Sequence, residues 1–424
     1  MGHADGKAGL RLAWIACLLV ALAPAVMAVT TWTPGGYFSV PLYFWRFLAP
    51  PVIAIELAVI AIAWSGGYRP LATILALPGW VAIAIGLLVA IDVGDALLVA
   101  PDRAAAMMRS AMTLVHLLFG FAVMHMLRAR GFLDFRALWW VLLGGAALYV
   151  GIMIAFVMAI SQPLRFDWMH FGLGVVNIRH AGFYVVVGAA MAFGLAATET
   201  IPRRYWLAVA GATLCCAELF WSGSRAPLLA LLVSSLVGVV LVPALRTLRL
   251  PLALIVAYAG GAALSLIHSP PLGIYGLLRM LHSGGDATAN AVTSGRVDLW
   301  GGSFRALLAR PLFGYGEAQF ITVVPESQKI FYHPHNALLQ SLVQWGGVGT
   351  VVFVLLGAML WWRLMIGTRR AGARAAPAFF AVNVFVVYAM FDGVLFFVYP
   401  MMIVAFLFAA GLAASERKPN PASA

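Results

Sequence analysis

The 424-residue sequence contains few charged residues for its length. Asp, Glu, Lys and Arg make up 10% of the chain, 63% of the residues are hydrophobic, and the mean hydropathy is +0.96. Soluble globular domains contain about a quarter charged residues, so this composition excludes that class. Alternating segments of about ten residues, which are typical of outer-membrane barrels, are also absent. The sequence therefore predicts a helical bundle in a lipid bilayer.

Cysteine is scarce, and several common catalytic motifs are missing. Cys17, Cys215 and Cys216 all fall within apolar runs, so they favour packing roles over a disulfide framework or a CxxC metal knuckle. The sequence contains no GxGxxG, Walker loop, GxSxG elbow or HExxH. Nothing therefore favours nucleotide-driven chemistry or a familiar hydrolase.

Apolar runs long enough to cross a bilayer recur along the whole chain. They predict an all-α, polytopic transmembrane bundle with about twelve spans. We place these spans at 11–30, 41–63, 70–91, 104–127, 137–160, 181–198, 205–221, 226–243, 250–268, 336–362, 375–391 and 395–413. Residues 1–424 form one integral membrane domain, in which 269–335 is a large, partly helical loop. The first run lacks a convincing cleavage site, so we expect it to be retained as a helix.

The net charge of +12 raises the question of a nucleic-acid partner. With the N-terminus inside, most basic residues fall in short cytoplasmic links, such as those containing Arg128, Arg136, Arg249 and Arg369. The opposite side carries acidic links, for example 92–102. This distribution follows the positive-inside rule. We therefore expect a multi-pass protein of the bacterial inner membrane with both termini in the cytoplasm, and no nucleic-acid partner.

Three arginines stand out on the predicted periplasmic side, namely Arg179, Arg225 and Arg296. Arg225 follows Ser222 and Ser224 in a short link, and Ser-Gly-Arg recurs at 294–296. The planar guanidinium fork suits phosphate, and serine hydroxyls suit its oxygen atoms. The alternative for each arginine is snorkelling to lipid headgroups. As a group, they predict a site for a diphosphate.

A histidine at the start of a span supplies the candidate base. His335 can take a proton from a hydroxyl at neutral pH, and Asn336 can orient its ring or cap the helix. Asp392, at a turn on the same side, could orient His335 or an arginine. His333 could also serve, although its side chain need not point the same way. A zinc site at His-Pro-His lacks a third ligand nearby in sequence, so we expect no metal. The alternative is a helix-start histidine without a chemical role.

Four motifs in the second half of the chain carry a family resemblance. They are SGSRAPLLA at 222–230, SGRVDLW at 294–300, ARPLFGYGEAQF at 309–320 and HPHNALLQSLVQWGGVG at 333–349. In this order the sequence resembles the O-antigen ligase family, whose superfamily includes O-antigen polymerases and protein O-oligosaccharyltransferases. Arg179 is a further match, and the first half matches only as hydrophobic spans. The extra C-terminal sequence of the longer protein O-oligosaccharyltransferases is lacking, which favours a ligase.

The resemblance implies an activity and its substrates. The donor would be a glycan linked to undecaprenyl diphosphate, and the acceptor a sugar hydroxyl of lipid A–core. His335 would be the general base, and Arg179, Arg225 and Arg296 would hold the diphosphate. The transfer would invert the anomeric carbon and need no cofactor or metal; beyond the two substrates, the only partners would be membrane lipids.

Two alternatives stay open. An O-antigen polymerase, or another glycan transferase of the superfamily, would use the same chemistry on another acceptor. A transporter or flippase would perform no covalent chemistry. Transporters place charged groups at the midplane between two related halves, whereas here the polar residues gather on one side.

Overall fold

The computed structural model describes residues 3–33, 40–128, 134–168, 173–268, 276–277, 295–328 and 330–416. Within these ranges the regular elements are helices and no strand occurs, so the predicted all-α class is confirmed. Parts of the predicted loop at 269–335 lie outside the described residues, namely 269–275, 278–294 with Ser294 of the repeated motif, and 329. So do both chain ends.

The α-helices of the described ranges are separated by links of different length, the longest of them between residues 265 and 296. The helices are α1 His3–Thr30, α2 Val40–Leu48, α3 Pro50–Ser65, α4 Pro70–Leu75, α5 Gly79–Leu98, α6 Arg103–Arg128, α7 Phe135–Ala159, α8 Gly182–Thr198, α9 Pro202–Trp221, α10 Arg225–Leu241, α11 Arg249–Ser265, α12 Arg296–Ala309, α13 Phe320–Val323, α14 Ala337–Ala371, α15 Ala376–Ala389 and α16 Val398–Glu416. Single turns of 3-10 helix occur at Ile178–Ala181, Pro243–Leu245, Pro325–Ser327 and Gly372–Arg374.

Among the described residues, 8 helical segments are long and apolar enough to cross a membrane. They are Gly9–Thr30, Phe44–Ser65, Gly79–Leu98, Arg103–Arg128, Phe135–Ala159, Ile178–Thr198, Ala337–Arg374 and Val398–Glu416. Arg225–Leu241, Arg249–Ser265 and Ala376–Ala389 are shorter apolar helices. The predicted span at 205–221 lies in α9, which belongs to neither group. The chain is thus a membrane protein, whereas a total of twelve spans stays a prediction.

One predicted span has the wrong limits. The run at 70–91 is divided between α4 and α5, and α5 begins only after Pro78. α5 then continues through Asp92 and Asp95, so the predicted acidic link at 92–102 is largely helix. Both carboxylates are buried, and Asp92 Oδ1 accepts a hydrogen bond from Trp345 Nε1 over 3.0 Å. Trp345 is far from Asp92 in the sequence, so no local feature of the sequence indicated that the helix would accommodate this carboxylate.

Helix α8 forms the centre of the bundle. Its residues from Gly182 to Ala197 are all buried, and it packs against α7, α9 and α15. Small residues allow this close approach. A Cβ atom on Gly188 would lie 2.4 Å from Cβ of Ala146, and one on Gly194 would lie 2.5 Å from Cα of Pro377. Close packing therefore fixes α8, and Arg179 lies in the 3-10 turn directly before it.

Basic links gather at the far end of α8, which we call the basic end. Arg136 Nε lies 3.4 Å from Glu199 Oε2, and Arg249 donates to the Glu199 carbonyl. Arg128 pairs with Glu416, and Arg369 Nε donates to the Leu241 carbonyl over 2.6 Å. These contacts bring together the links that the sequence predicts to be cytoplasmic. Their orientation in a membrane stays a prediction.

Helix α14 is kinked at Gly346, where the backbone has φ 61° and ψ −166°. The segment 311–316 lies against this kink and exchanges backbone hydrogen bonds with it. Tyr315 N and Gly316 N donate to the carbonyls of 343 and 344 over 3.0 and 2.8 Å. Gly347 N and Val348 N donate to the carbonyls of 311 and 312 over 2.7 and 3.1 Å. Every buried backbone group needs a partner, so the segment replaces bonds that the kink removes from the helix.

Candidate active site

The site is centred on His335, which lies just before α14. Its Nδ1 lies 3.0 Å from Oδ1 of Asp392, in the link between α15 and α16. The Asn336 side chain caps α14 by accepting from Leu339 N over 3.0 Å, so the predicted cap is confirmed. His335 has φ 54°, a left-handed conformation that costs about 1–3 kcal/mol for a residue with a side chain. Contacts on both sides of the residue hold it in that conformation.

Asp392 is an ionised hydrogen-bond acceptor. Burial opposes its ionisation, but the hydrogen bond and charge of His335, together with His180 and His333, hold the pKa of Asp392 well below its usual range. The backbone N–H of Gly393 also donates to Oδ1 over 2.8 Å. An ionised carboxylate has no proton to donate. His335 Nδ1 is therefore the donor, and a neutral ring carries its lone pair on Nε2.

His333 supports this pair from a buried position. Its ring centroid lies 4.3 Å from that of His335, and its Nδ1 accepts the backbone N–H of His335 over 3.2 Å. Burial lowers the pKa of His333 well below its usual value, and the nearby His335 adds to this effect. A Cβ atom on Gly393 would lie 2.4 Å from Cε1 of His333. His333 is thus a neutral, tightly enclosed ring beside His335.

Arg179 and the 222–225 link are joined by the two serines. Ser224 Oγ donates to the Arg179 carbonyl over 3.1 Å, and the Ser222 and Ser224 hydroxyls lie 2.8 Å apart. Both serines are buried. Their hydroxyls bond to each other and to backbone, which gives them a positioning role. Arg225 follows directly as the first residue of α10, as predicted, and its side chain is exposed.

Arg296 lies near the histidines. It is the first residue of α12, so the loop that was predicted to be partly helical does contain a helix. Trp300 Nε1 donates to the Pro334 carbonyl over 2.9 Å and so attaches α12 to the His-Pro-His turn. Arg296 lies close enough to His333, and Arg179 close enough to His180, for their charges to interact electrostatically. His180 interacts in the same way with Asp392. Arg179 and Arg296 are thus near the histidines. Arg225 directly follows Ser224, whose hydroxyl donates to the Arg179 carbonyl.

The same three side chains could hold a metal ion. His333, His335 and Asp392 each offer one ligand atom, and these atoms lie within 4.8 Å of one another. Two nitrogens and one oxygen match the three protein ligands of a catalytic zinc site. The argument that His-Pro-His lacks a third ligand was therefore wrong, because the turn between α15 and α16 brings Asp392 there. The expectation of a metal-free site stays a prediction.

A buried polar network next to the site was not predicted. Arg109 of α6 donates to the Phe396 carbonyl and lies 4.7 Å from the centre of its ring, and that ring lies 5.1 Å from His333. Thr113 Oγ1 donates to Glu317 Oε1 over 2.6 Å. Burial, and then the charge of Asp92, raise the pKa of Glu317 to about 7. The only sequence signal for this network was the presence of Arg109 inside an apolar run.

The comparisons with known proteins agree with the motifs. Residues 210–354 match the family model described as O-antigen ligase, which is about a third of the chain. The matched range contains Arg225, Arg296, His333 and His335, whereas Arg179 and Asp392 lie outside it. The comparison with curated proteins found no match. The predicted resemblance is thereby confirmed: residues 210–354 are similar to the O-antigen ligase family.

Proposed function

We propose that this protein is an O-antigen ligase acting on the periplasmic face of the bacterial inner membrane. It transfers a glycan from undecaprenyl diphosphate to a sugar hydroxyl of lipid A–core. The observation that carries the proposal is the 3.0 Å contact between His335 Nδ1 and Asp392 Oδ1, close to Arg179 and Arg296. The family match supports its coarser part, a membrane glycosyltransferase with lipid-linked glycan substrates.

His335 acts as the general base. Asp392 holds Nδ1–H, so Nε2 is free to accept the proton of the acceptor hydroxyl. The hydroxyl oxygen attacks the anomeric carbon of the donor while the bond from that carbon to the phosphate oxygen breaks. The undecaprenyl diphosphate departs with the bonding electrons, and His335 later releases its proton to water. A single displacement inverts the configuration at the anomeric carbon.

The arginines stabilise the leaving group. Negative charge grows on the diphosphate as the bond breaks, and guanidinium groups that are already in place stabilise it without reorganisation. Arg179 and Arg296 lie near the histidines, and Arg225 extends the positive charge along the 222–225 link. Because three arginines supply the charge that a cation would otherwise provide, the proposed reaction uses no metal or nucleotide.

The test is a transfer assay with purified protein, undecaprenyl-diphosphate glycan and lipid A–core, in EDTA and without nucleotide. We expect wild type to produce a lipopolysaccharide ladder and His335→Ala to produce none. His268→Ala is the matched control, because His268 is exposed and only its backbone carbonyl is used, by Trp221 Nε1. A ladder from His335→Ala would refute the role of the base. Longer lipid-linked chains in place of a ladder would indicate a polymerase, and no product in either assay would favour a transporter.

A second variant pair tests the arginines. Arg225→Lys keeps the charge but loses the two-pronged hydrogen bonding, so we expect slower transfer. Arg165→Lys is the control, since Arg165 is an exposed arginine outside the 222–225 link. Equal rates for both variants would show that Arg225 does not hold the diphosphate.

A further inference from the structure

Helix α12 is apolar on two opposite faces. Leu299, Ser303 and Ala306 are buried against the protein. On the other side, Val297, Phe304 and Leu308 are 41%, 53% and 78% exposed. Their spacing of seven and four residues places them on one line along the helix, which we call the α12 stripe. A helix that is apolar on both faces is normally covered on both, so the stripe requires a cover.

The two ends of α12 show where this helix lies. Near its start, Trp300 is bonded to the carbonyl of Pro334, three residues before α14 begins. After its end, Arg310 NH1 donates over 3.4 Å to the carbonyl of Val99, the residue that follows α5. α12 therefore runs across the ends of two helices that are long enough to span the membrane. It lies at the level of the bilayer surface.

The stripe is followed by surface that must face lipid. Leu312, just beyond α12, is exposed, and its carbonyl accepts the Val348 N–H of α14 over 3.1 Å. One turn further along α14, Val351 and Leu355 are exposed on a membrane-spanning helix. Exposed apolar residues thus occur along α12, just beyond its end and on the part of α14 to which that segment is bonded. Exposed apolar surface of this kind fits lipid.

We propose that the α12 stripe inserts into the leaflet on this side of the membrane, so that α12 lies flat between headgroups and acyl chains. The insertion sets the depth of Arg296, which precedes the stripe by one residue. The diphosphate of a polyprenyl lipid lies at headgroup depth, because its hydrocarbon chain stays in the bilayer. If the proposed function holds, the inserted helix keeps Arg296 at the level of that diphosphate.

Spin labelling tests the insertion without any transfer assay. The native cysteines, Cys17, Cys215 and Cys216, are all buried, so a nitroxide should react with an introduced cysteine. Phe304→Cys and Leu308→Cys report on the stripe. Ala309→Cys is the matched control, being exposed but turned about 100° from Leu308. The labelled protein is reconstituted in phosphatidylethanolamine–phosphatidylglycerol vesicles.

We expect the labels at 304 and 308 to collide with oxygen and to be shielded from a water-soluble nickel chelate, whereas the label at 309 collides with the chelate. Chelate access at 304 and 308 equal to that at 309 would place the stripe in water and overturn the proposal. Shielding from both reagents would also overturn it, because a protein, such as a second copy, would then cover the stripe.

A donor comparison tests the consequence for Arg296. The double variant Phe304→Asp/Leu308→Asp should lose at least tenfold in transfer from the undecaprenyl donor. It should lose little with a short-chain, water-soluble donor, whose diphosphate is not held at one depth. Equal loss with both donors would show that the stripe serves folding, and would refute the link to depth. Absence of transfer by wild type would refute the proposed function, and the label result would stand on its own.

Discussion

Asp392 offers the sharpest test of the proposed mechanism, because two substitutions separate its charge from its geometry. Oδ1 of Asp392 accepts from both His335 Nδ1 and Gly393 N, over 3.0 and 2.8 Å. In Asp392→Asn a neutral carbonyl oxygen can occupy the same position and keep both bonds. In Asp392→Ala both hydrogen bonds are lost, and nothing selects the ring orientation and tautomer of His335.

The two variants should therefore lower the rate of transfer to different extents. A hydrogen bond to a charged group contributes about 1.5–3 kcal/mol, against about 0.5–1.5 kcal/mol for a neutral one. The difference, roughly 1.4 kcal/mol, corresponds to about a tenfold loss of rate for Asp392→Asn. General-base catalysis contributes about 10²–10⁴, so we expect Asp392→Ala to lose about a thousandfold, close to His335→Ala.

The assay is the transfer rate at saturating donor, with folding checked by gel filtration and thermal unfolding. Equal losses in the Asn and Ala variants would refute the separation of charge from geometry. Wild-type rates in the Ala variant would refute the role of Asp392 altogether.

The pKa of Asp392 is lowered by folding, so its contribution to stability is complete above the unfolded value of about 3.9 and is lost only as the pH falls below it. The difference in unfolding temperature between wild type and Asp392→Asn should thus become smaller as the pH falls from 5 to about 3.

Three further variants test the surroundings of the site. Gly393→Ala brings a methyl group to 2.4 Å from the His333 ring, and we expect loss of transfer and a lower unfolding temperature; an unchanged temperature would contradict the packing. Gly346→Ala should impair folding, because φ is 61° and the Cβ atom would lie 2.3 Å from the Leu312 carbonyl carbon; normal yield in membranes would be the contrary result. Burial raises the pKa of Glu317 to about 7, so the folded chain retains a proton that the unfolded chain releases near pH 4.3, and stability falls as the pH rises between these values. Glu317→Gln should flatten that fall, measured as unfolding temperature at pH 5 and pH 8; an unchanged slope would exclude Glu317 as its cause.

Local features of the sequence predicted the positions of the helices well. Each predicted span overlaps a helix, because hydropathy depends on neighbouring residues alone. The start of α10 near Arg225 and the cap at Asn336 were predicted for the same reason. Each is determined by residues within a few positions.

Features that depend on distant partners were predicted less well. Asp392 was only one possible partner for His335, since 57 positions separate them and the sequence does not show which turns meet. α5 passes through Asp92 because Trp345, far along the chain, supplies a donor. The kink at Gly346 likewise required a segment from before the His-Pro-His turn.

The backbone exchange at the Gly346 kink has a consequence for sequence variation. Main-chain groups of 311–316 make the attachment, and no side chain takes part in those four hydrogen bonds. Exchanges of Leu312 and Phe313, whose side chains are exposed, for other apolar residues should therefore be tolerated. Gly314 and Gly346 cannot vary, since a Cβ atom on either would lie 2.6 Å or less from backbone of the other segment. This part of the protein can drift to suit a different lipid or glycan while its attachment to α14 stays the same.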